Sequence, residues 1–135
     1  MTNVVVLTAL LAIWPFGGGK DYRMTPSTQV PAATGTVKVT KDKDNGNTAF
    51  DIRVEHLAKP ANLTPAANSY IVWVRPRGAD AVKQGAIGVN DDLKGELKAV
   101  TTSKDFDLFV TAEQNQDVSA PRGPEILSTH VNAAS

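Results

Sequence analysis

After residue 35, short runs of alternating apolar and polar residues are separated by turn-forming residues. In residues 48–56, Phe50, Ile52 and Val54 alternate with charged side chains, which is typical of a strand with one buried face. No run has the period of a strong amphipathic helix. The pattern predicts seven strands, at residues 36–41, 48–56, 69–75, 84–89, 93–101, 106–113 and 125–131.

Two of these segments carry the clearest local signals. Asn45 and Gly46 separate the first two strands, and an Asn-Gly pair supports the positive φ angles of a tight turn, so the two strands are predicted to form a hairpin. Residues 69–75, SYIVWVR, are apolar on both faces, which indicates a central strand covered on both sides. Trp73 lies in its middle, where an immunoglobulin-type core often has a tryptophan.

The succession of short strands predicts an all-β fold. We expect a seven-stranded antiparallel immunoglobulin-like β-sandwich at residues 36–132, preceded by an N-terminal apolar leader. Residues 20–35 contain Pro26 and Pro31 among small polar residues without a period, and are predicted to be a flexible linker. The predicted core contains Phe50, Ile52, Val54, Val72, Trp73, Val74, Leu108 and Val110.

The first 19 residues carry no charge, so all 14 basic and 14 acidic residues follow them. Residues 4–16 are almost entirely apolar; this run is too short to span a bilayer, which needs about 20 residues, but it matches the apolar region of a signal peptide. No Lys or Arg precedes the run, and no clean small-residue cleavage site follows it. We predict a signal peptide or short membrane anchor at 1–19 and a periplasmic or extracellular domain. The alternative is that residues 4–14 form a buried helix or strand.

The composition of the chain excludes several kinds of site and of binding partner. The length of 135 residues fits one domain, and the absence of cysteine excludes disulfides, thiolate metal sites and thiol nucleophiles. The net charge of zero gives no bulk attraction to nucleic acid or to an anionic membrane. We therefore expect no nucleic-acid partner, and membrane contact through the N-terminal segment alone.

Two groups of polar residues resemble metal ligands in type. His56 and His130 are the two histidines, and both fall at predicted strand ends, where solvated side chains are the expectation. Residues 42–47, DKDNGN, are rich in oxygen ligands. Their glycine is one position too early for an EF-hand loop, and Ile52 occupies the position of the required glutamate. A polar hairpin tip is therefore predicted there, and no metal or other cofactor.

The remaining candidates do not form a catalytic pattern. Asp91, Asp92 and Glu113 are carboxylates at predicted turns or strand ends, without a spacing that indicates paired acid–base catalysis. Arg75, Arg77 and Tyr70 belong to one strand and its end, where they could form a small basic-aromatic surface, although scattered solvated side chains are the simpler interpretation. We predict a protein that is not an enzyme, with no catalytic or cofactor-binding residue.

Four motifs in a fixed order suggest a kind of domain. Residues 70–74 (YIVWV), 85–89 (GAIGV), 109–113 (FVTAE) and 121–124 (PRGP) follow one another along the chain. This order resembles the extracytoplasmic C-terminal domain of bacterial anti-sigma-K factors, over residues 69–131. The resemblance implies an envelope β-sandwich, and it implies neither sigma-factor inhibition nor any catalytic residue.

These observations lead to one functional expectation and two alternatives. We expect an exported, non-enzymatic β-sandwich that acts as a binding, sensing or structural module in the bacterial envelope, with a protein partner recognised through a sheet face or an edge strand. One alternative is an anti-sigma-type regulatory domain that acts with a separate partner. The other is a carbohydrate-binding module, for which the aromatic content of 6% supplies few stacking side chains.

Overall fold

The computed structural model describes residues 19–42 and 44–133. They form eight strands and one short 3-10 helix, Pro60–Asn62, between β3 and β4. Within the described residues, no helix is long and apolar enough to cross a membrane. The strands are β1 (Lys20–Pro26), β2 (Thr34–Lys41), β3 (Thr48–Glu55), β4 (Ser69–Pro76), β5 (Val82–Ile87), β6 (Gly95–Thr101), β7 (Asp105–Glu113) and β8 (Glu125–Asn132).

All neighbouring strands are antiparallel and form one sheet in the order β5-β4-β7-β8-β1-β2-β3-β6. The two outermost strands, β5 and β6, approach one another, so the sheet is nearly barrel-shaped. Strand β1 joins the two halves, because Lys20–Met24 pairs with β2 whereas Thr25 and Pro26 pair with β8. The predicted all-β class is therefore confirmed.

The eighth strand corrects the sequence prediction. Strand β1 lies within the segment expected to be a flexible linker, so the linker prediction is wrong for Lys20–Pro26 and the predicted count of seven strands is one too low. Met24 is buried and Tyr22 packs against the core, but charged neighbours and the proline at the end of the strand hide this short alternation in the sequence. The predicted leader, apart from Gly19, lies outside the described residues.

The predicted β2–β3 hairpin is present, with Lys41 paired to Thr48. Its turn is wider than a two-residue loop, since the Asp42 amide donates to the Asn47 carbonyl over 2.8 Å. Gly46 takes the positive φ that its position requires, at 72°. Asp42 and residues 44–47 thus belong to a polar hairpin tip, as expected, and Lys43 lies outside the described residues.

All eight residues predicted for the core are buried, and seven of them belong to the main cluster inside the curved sheet. Trp73 is the exception. It lies on the opposite face of β4 with Ile71 and Phe109, in a separate apolar cluster. The expectation that Trp73 occupies the centre of an immunoglobulin-type core is therefore wrong, because the side chains of a strand alternate and Val72 and Val74 take the inner face.

Candidate functional site

The outer face of β4, β7 and β8, which points away from the main core, is divided into two halves. Its apolar half contains the Trp73 cluster. Its other half begins two residues further along β4, where antiparallel pairing places Arg75 opposite Asp107, and Asp107 opposite His130. We call the charged cluster the five residues Arg75, Arg77, Asp105, Asp107 and His130.

The charged cluster lies at the proximal end of the sheet, which we define as the end at which β1 begins. Here β7 begins at Asp105, directly opposite Asn132 at the end of β8. The Tyr22 hydroxyl of β1 donates to the Asn132 carbonyl over 3.0 Å. Strand β1 therefore begins close to the charged cluster.

The five side chains form a row of alternating charges. Arg77 Nη1 lies 3.2 Å from Asp105 Oδ2, and His130 Nε2 lies 2.6 Å from Asp105 Oδ1. On the other side, His130 Nδ1 lies 2.7 Å from Asp107 Oδ1, and Arg75 Nη1 lies 3.8 Å from Asp107 Oδ2. Each of the four carboxylate oxygens therefore faces one cationic group.

The position of His130 between two carboxylates determines its protonation. Both ring nitrogens face carboxylate oxygens at hydrogen-bond distance, and an ionised carboxylate has no proton to donate. Both nitrogens must then carry protons, so this geometry belongs to the imidazolium form. The hydrogen bond to Asp107, and secondly the hydrogen bond and charge of Asp105, raise the pKa of His130, although partial burial opposes the shift.

An open cleft of about 440 Å³ adjoins the charged cluster. Pro76, Gly78 and Phe106 complete its walls. Arg77 reaches furthest into solvent, with 85% of its side chain exposed, whereas Asp105 behind it is 25% exposed. A partner entering the cleft on this side would therefore meet the Arg77 guanidinium before the Asp105 carboxylate.

Arg75 connects the two halves of the outer face. Its guanidinium lies 4.4 Å from the centre of the Phe109 ring, within the range of a cation–π contact. Phe109 in turn belongs to the buried cluster with Trp73. The position of Arg75 is thereby fixed by packing as well as by charge.

The apolar half is covered by the β7–β8 loop, through Val118, and it encloses a polar network. Trp73 Nε1 donates to Thr111 Oγ1 over 2.8 Å, and the Thr111 hydroxyl donates to Glu113 Oε2 over 2.5 Å. The Glu113 carboxylate also accepts the backbone N–H groups of Arg122 and Gly123, at 3.2 and 3.0 Å. Glu113 is 1% exposed, and these bonds satisfy the buried carboxylate.

Gly123 is required where it stands, because a Cβ atom there would collide with the Ala112 carbonyl oxygen. The Ala112 amide also donates to the Pro124 carbonyl over 3.0 Å, which holds the turn against the end of β7. Trp73, Thr111, Glu113 and Gly123 come from three of the four motifs described above. The buried network therefore fastens the loop over Trp73, and we assign these residues a structural role.

Other residues considered from the sequence are dispersed. His56 is exposed immediately after β3, as expected. Asp91 pairs with Lys59 at the opposite end of the sheet, and this contact lowers the pKa of the exposed Asp91 carboxyl. Tyr70 is buried and donates to the Ala58 carbonyl, so it takes no part in a basic-aromatic surface with Arg75.

The sequence places Arg75 and Arg77 close together but does not predict the charged cluster. Scattered solvated side chains are the expectation for both arginines, and a solvated side chain is the expectation for His130. Asp105 and Asp107 were not considered, although they alternate with the core residue Phe106 and so must share the outer face of β7. That alternation is visible in the sequence. The register that brings His130 between the two aspartates is not visible there.

The fold and the charged cluster define an all-β domain with an ionic cleft at one end of its sheet. No known family model matches the chain, and no curated protein is significantly similar to it. Among residues 19–42 and 44–133, no group of three or more His, Asp or Glu side chains is arranged to hold a metal ion.

Proposed function

We propose that this protein is a non-enzymatic binding module of the bacterial envelope, which recognises a protein partner at the cleft beside the charged cluster. The observation that carries the proposal is the row of alternating charges in the charged cluster, next to an open cleft. Fixed charges on strands offer a partner a defined pattern of complementary contacts. They also set the register in which the two surfaces meet.

The same cluster argues for binding rather than catalysis. Both nitrogens of His130 are held by carboxylates, so neither is available to remove a proton from a substrate. Asp105 and Asp107 are themselves engaged by cations. These contacts support a role of the charged cluster in recognition.

The envelope assignment is supported by the uncharged residues 1–19 and by the resemblance to an extracytoplasmic domain. The two halves of the sheet that β1 joins support the sandwich-like architecture that the resemblance implies. Mass spectrometry of the mature N-terminus tests the export step. A start near Gly19 is expected, whereas an intact Met1 in a cytoplasmic protein would contradict it.

Site-specific photo-crosslinking in the bacterium that makes the protein tests partner recognition. A photoreactive residue replaces Asp80, which is exposed in the loop after β4 and close to the cleft. The control position is the exposed Asp92, at the opposite end of the sheet. We expect an adduct from position 80 and none from position 92.

The charges of the cleft are then removed in the crosslinking strain. The double variant Arg75→Gln/Arg77→Gln is expected to abolish the adduct, because the partner loses both guanidinium contacts. The matched control Lys59→Gln breaks an exposed ion pair far from the cleft and is expected to leave the adduct unchanged. No adduct at position 80, or an adduct that the double variant retains, would rule out the cleft as the recognition site.

A further inference from the structure

The charged cluster has an excess of positive charge when His130 is protonated. Arg75, Arg77 and the His130 imidazolium supply three positive charges, while Asp105 and Asp107 supply two negative ones. One positive charge is left over. When His130 loses its proton, the charges balance.

The cluster also has an excess of hydrogen-bond donors. All four carboxylate oxygens already face a cationic group within the cluster. Each guanidinium, by contrast, has five N–H donors in a planar fork, and the ion pairs engage one nitrogen of each arginine. Additional acceptor oxygens would therefore satisfy donors that the cluster leaves exposed.

The ligand class follows from these two counts. A carboxylate brings one negative charge and two acceptor oxygens in a plane, which suits a guanidinium fork and neutralises the single excess charge. A phosphate group at neutral pH brings closer to two charges, so it would leave the cluster with a net negative charge. The observations favour the carboxylate of an acidic protein segment.

His130 couples this recognition to pH. From β7 it is faced by Asp105 and Asp107, and these are held from β4 by Arg77 and Arg75. On its other side, β1 carries the charged residues Lys20, Asp21 and Arg23 and pairs with β8 at Thr25 and Pro26. Asp105 and Asp107 favour protonation of His130. If His130 lost its proton, one of its ring nitrogens would face a carboxylate oxygen without a hydrogen between them. Two acceptor atoms would then oppose each other.

We propose that the charged cluster is a pH-dependent site for an acidic protein segment, which binds more tightly when His130 is an imidazolium and more weakly when His130 becomes neutral. This inference rests on the proposed function, because it names the chemistry of the partner recognised at the cleft. In an envelope compartment open to the surroundings, such a site would report external pH as a change in partner occupancy.

Binding of a defined peptide to the full chain tests the inference. The probe is a capped synthetic peptide with three glutamates separated by glycines, and its glutamine counterpart is the control. Affinities are measured by NMR titration at about pH 6 and about pH 9, where the peptide carboxylates stay ionised in both conditions. We expect binding of the glutamate peptide to be roughly two- to fivefold tighter at the lower pH, which is the range of an exposed charge contact.

Variants connect the pH effect to the site. His130→Gln is expected to bind the peptide with the same, weaker affinity at both pH values. The control His56→Asn replaces the other histidine, at the opposite end of the sheet, and should keep the pH dependence. Asn is chosen because residue 56 has a positive φ of 56°, which Asn tolerates.

The outcomes separate this inference from the proposed function. Peptide binding that is equal at both pH values, or equally pH-dependent in His130→Gln, would overturn the inference. Tighter binding of inorganic phosphate than of the glutamate peptide would overturn the assignment to a carboxylate. A charge-dependent crosslink at position 80 would uphold the proposed function in either case, whereas its absence would overturn the proposed function itself.

Discussion

The outer face of β4, β7 and β8 holds carboxylates in two opposite environments. Glu113 is buried under the β7–β8 loop and accepts hydrogen bonds from one hydroxyl and two backbone N–H groups. Asp107 is 48% exposed and is held by the charged groups of Arg75 and His130. One sheet face thus supports a structural network and an ionic surface, and the presence of a covering loop decides which forms.

The difference in burial between Glu113 and Asp107 predicts different roles for the two side chains. A buried carboxylate destabilises the fold unless fixed donors satisfy it, so its partners are rigid and cannot be exchanged at low cost. An exposed carboxylate is screened by water, so its contacts contribute little to stability and remain open to exchange with a partner. We therefore expect changes in the network to affect folding, and changes in the charged cluster to affect binding.

The largest expected effect comes from Gly123→Ala. The added Cβ collides with the Ala112 carbonyl oxygen, so the turn must move and withdraw its N–H donors from Glu113. We expect the free energy of unfolding to fall by about 3 kcal/mol, measured by urea denaturation. Gly88→Ala is the matched control, because no atom lies within 4 Å of its added Cβ, and its effect should stay below about 0.5 kcal/mol. Equal effects of the two changes would contradict the assignment.

The second-largest effect is expected for Glu113→Gln, which is compared with the same chemical change at Asp107. Glu113→Gln keeps the shape of the side chain but turns an amide NH₂ toward the Thr111 hydroxyl or the loop N–H groups, which are already donors. We expect a loss of about 2 kcal/mol in the free energy of unfolding. The same chemical change at Asp107, Asp107→Asn, should cost less than about 1 kcal/mol, since that group is exposed. A larger loss at Asp107 would reverse the comparison.

Much of the fold was predictable because strand signals are local. Alternation in residues 48–56 and 106–113 places β3 and β7 to within a residue or two, since it depends on neighbours along the chain. Strand β1 was not predictable in this way, because its burial depends on pairing with both β2 and β8. Trp73 was correctly predicted to be buried, but the cluster in which it is buried depends on the loop that covers it.

The candidate site was less predictable, for a physical reason. The contacts among Arg75, Asp107 and His130 depend on the register of two strand pairs that are distant in sequence. A shift of one residue in the β7–β8 pair would turn His130 away from Asp107, and the same shift in the β4–β7 pair would turn Arg75 away from it. Alternation in the sequence indicates which residues of one strand share a face of the sheet. It does not indicate which residues of neighbouring strands lie opposite each other.

The two arginines provide a comparison within the charged cluster. Arg75 stacks on Phe109 and so extends over the buried half, whereas Arg77 is 85% exposed and forms an ion pair with Asp105. We expect Arg75→Ala to lower the free energy of unfolding by about 1 kcal/mol, through lost cation–π and packing contacts. Arg77→Ala should change it by less than about 0.5 kcal/mol. Urea denaturation at low and high salt checks this, and salt should reduce the effect of Arg77→Ala more than that of Arg75→Ala, because the packing of Arg75 on Phe109 is not screened.

The smallest expected effect on stability is the dependence on pH through His130. Its pKa is raised above the usual value of 6.5 in the folded state, so the folded protein binds this proton more tightly than the unfolded chain does. The resulting stabilisation is fully present below the unfolded pKa and is lost as pH rises through the folded pKa. Because the group is exposed, we expect a total of less than about 0.5 kcal/mol, measured as the difference in denaturation midpoints between wild type and His130→Gln across that range. The His56→Asn variant should follow the wild type at every pH. A pH dependence of stability that is equal in wild type and His130→Gln would mean that another group carries it, and His130 would then have no sensing role.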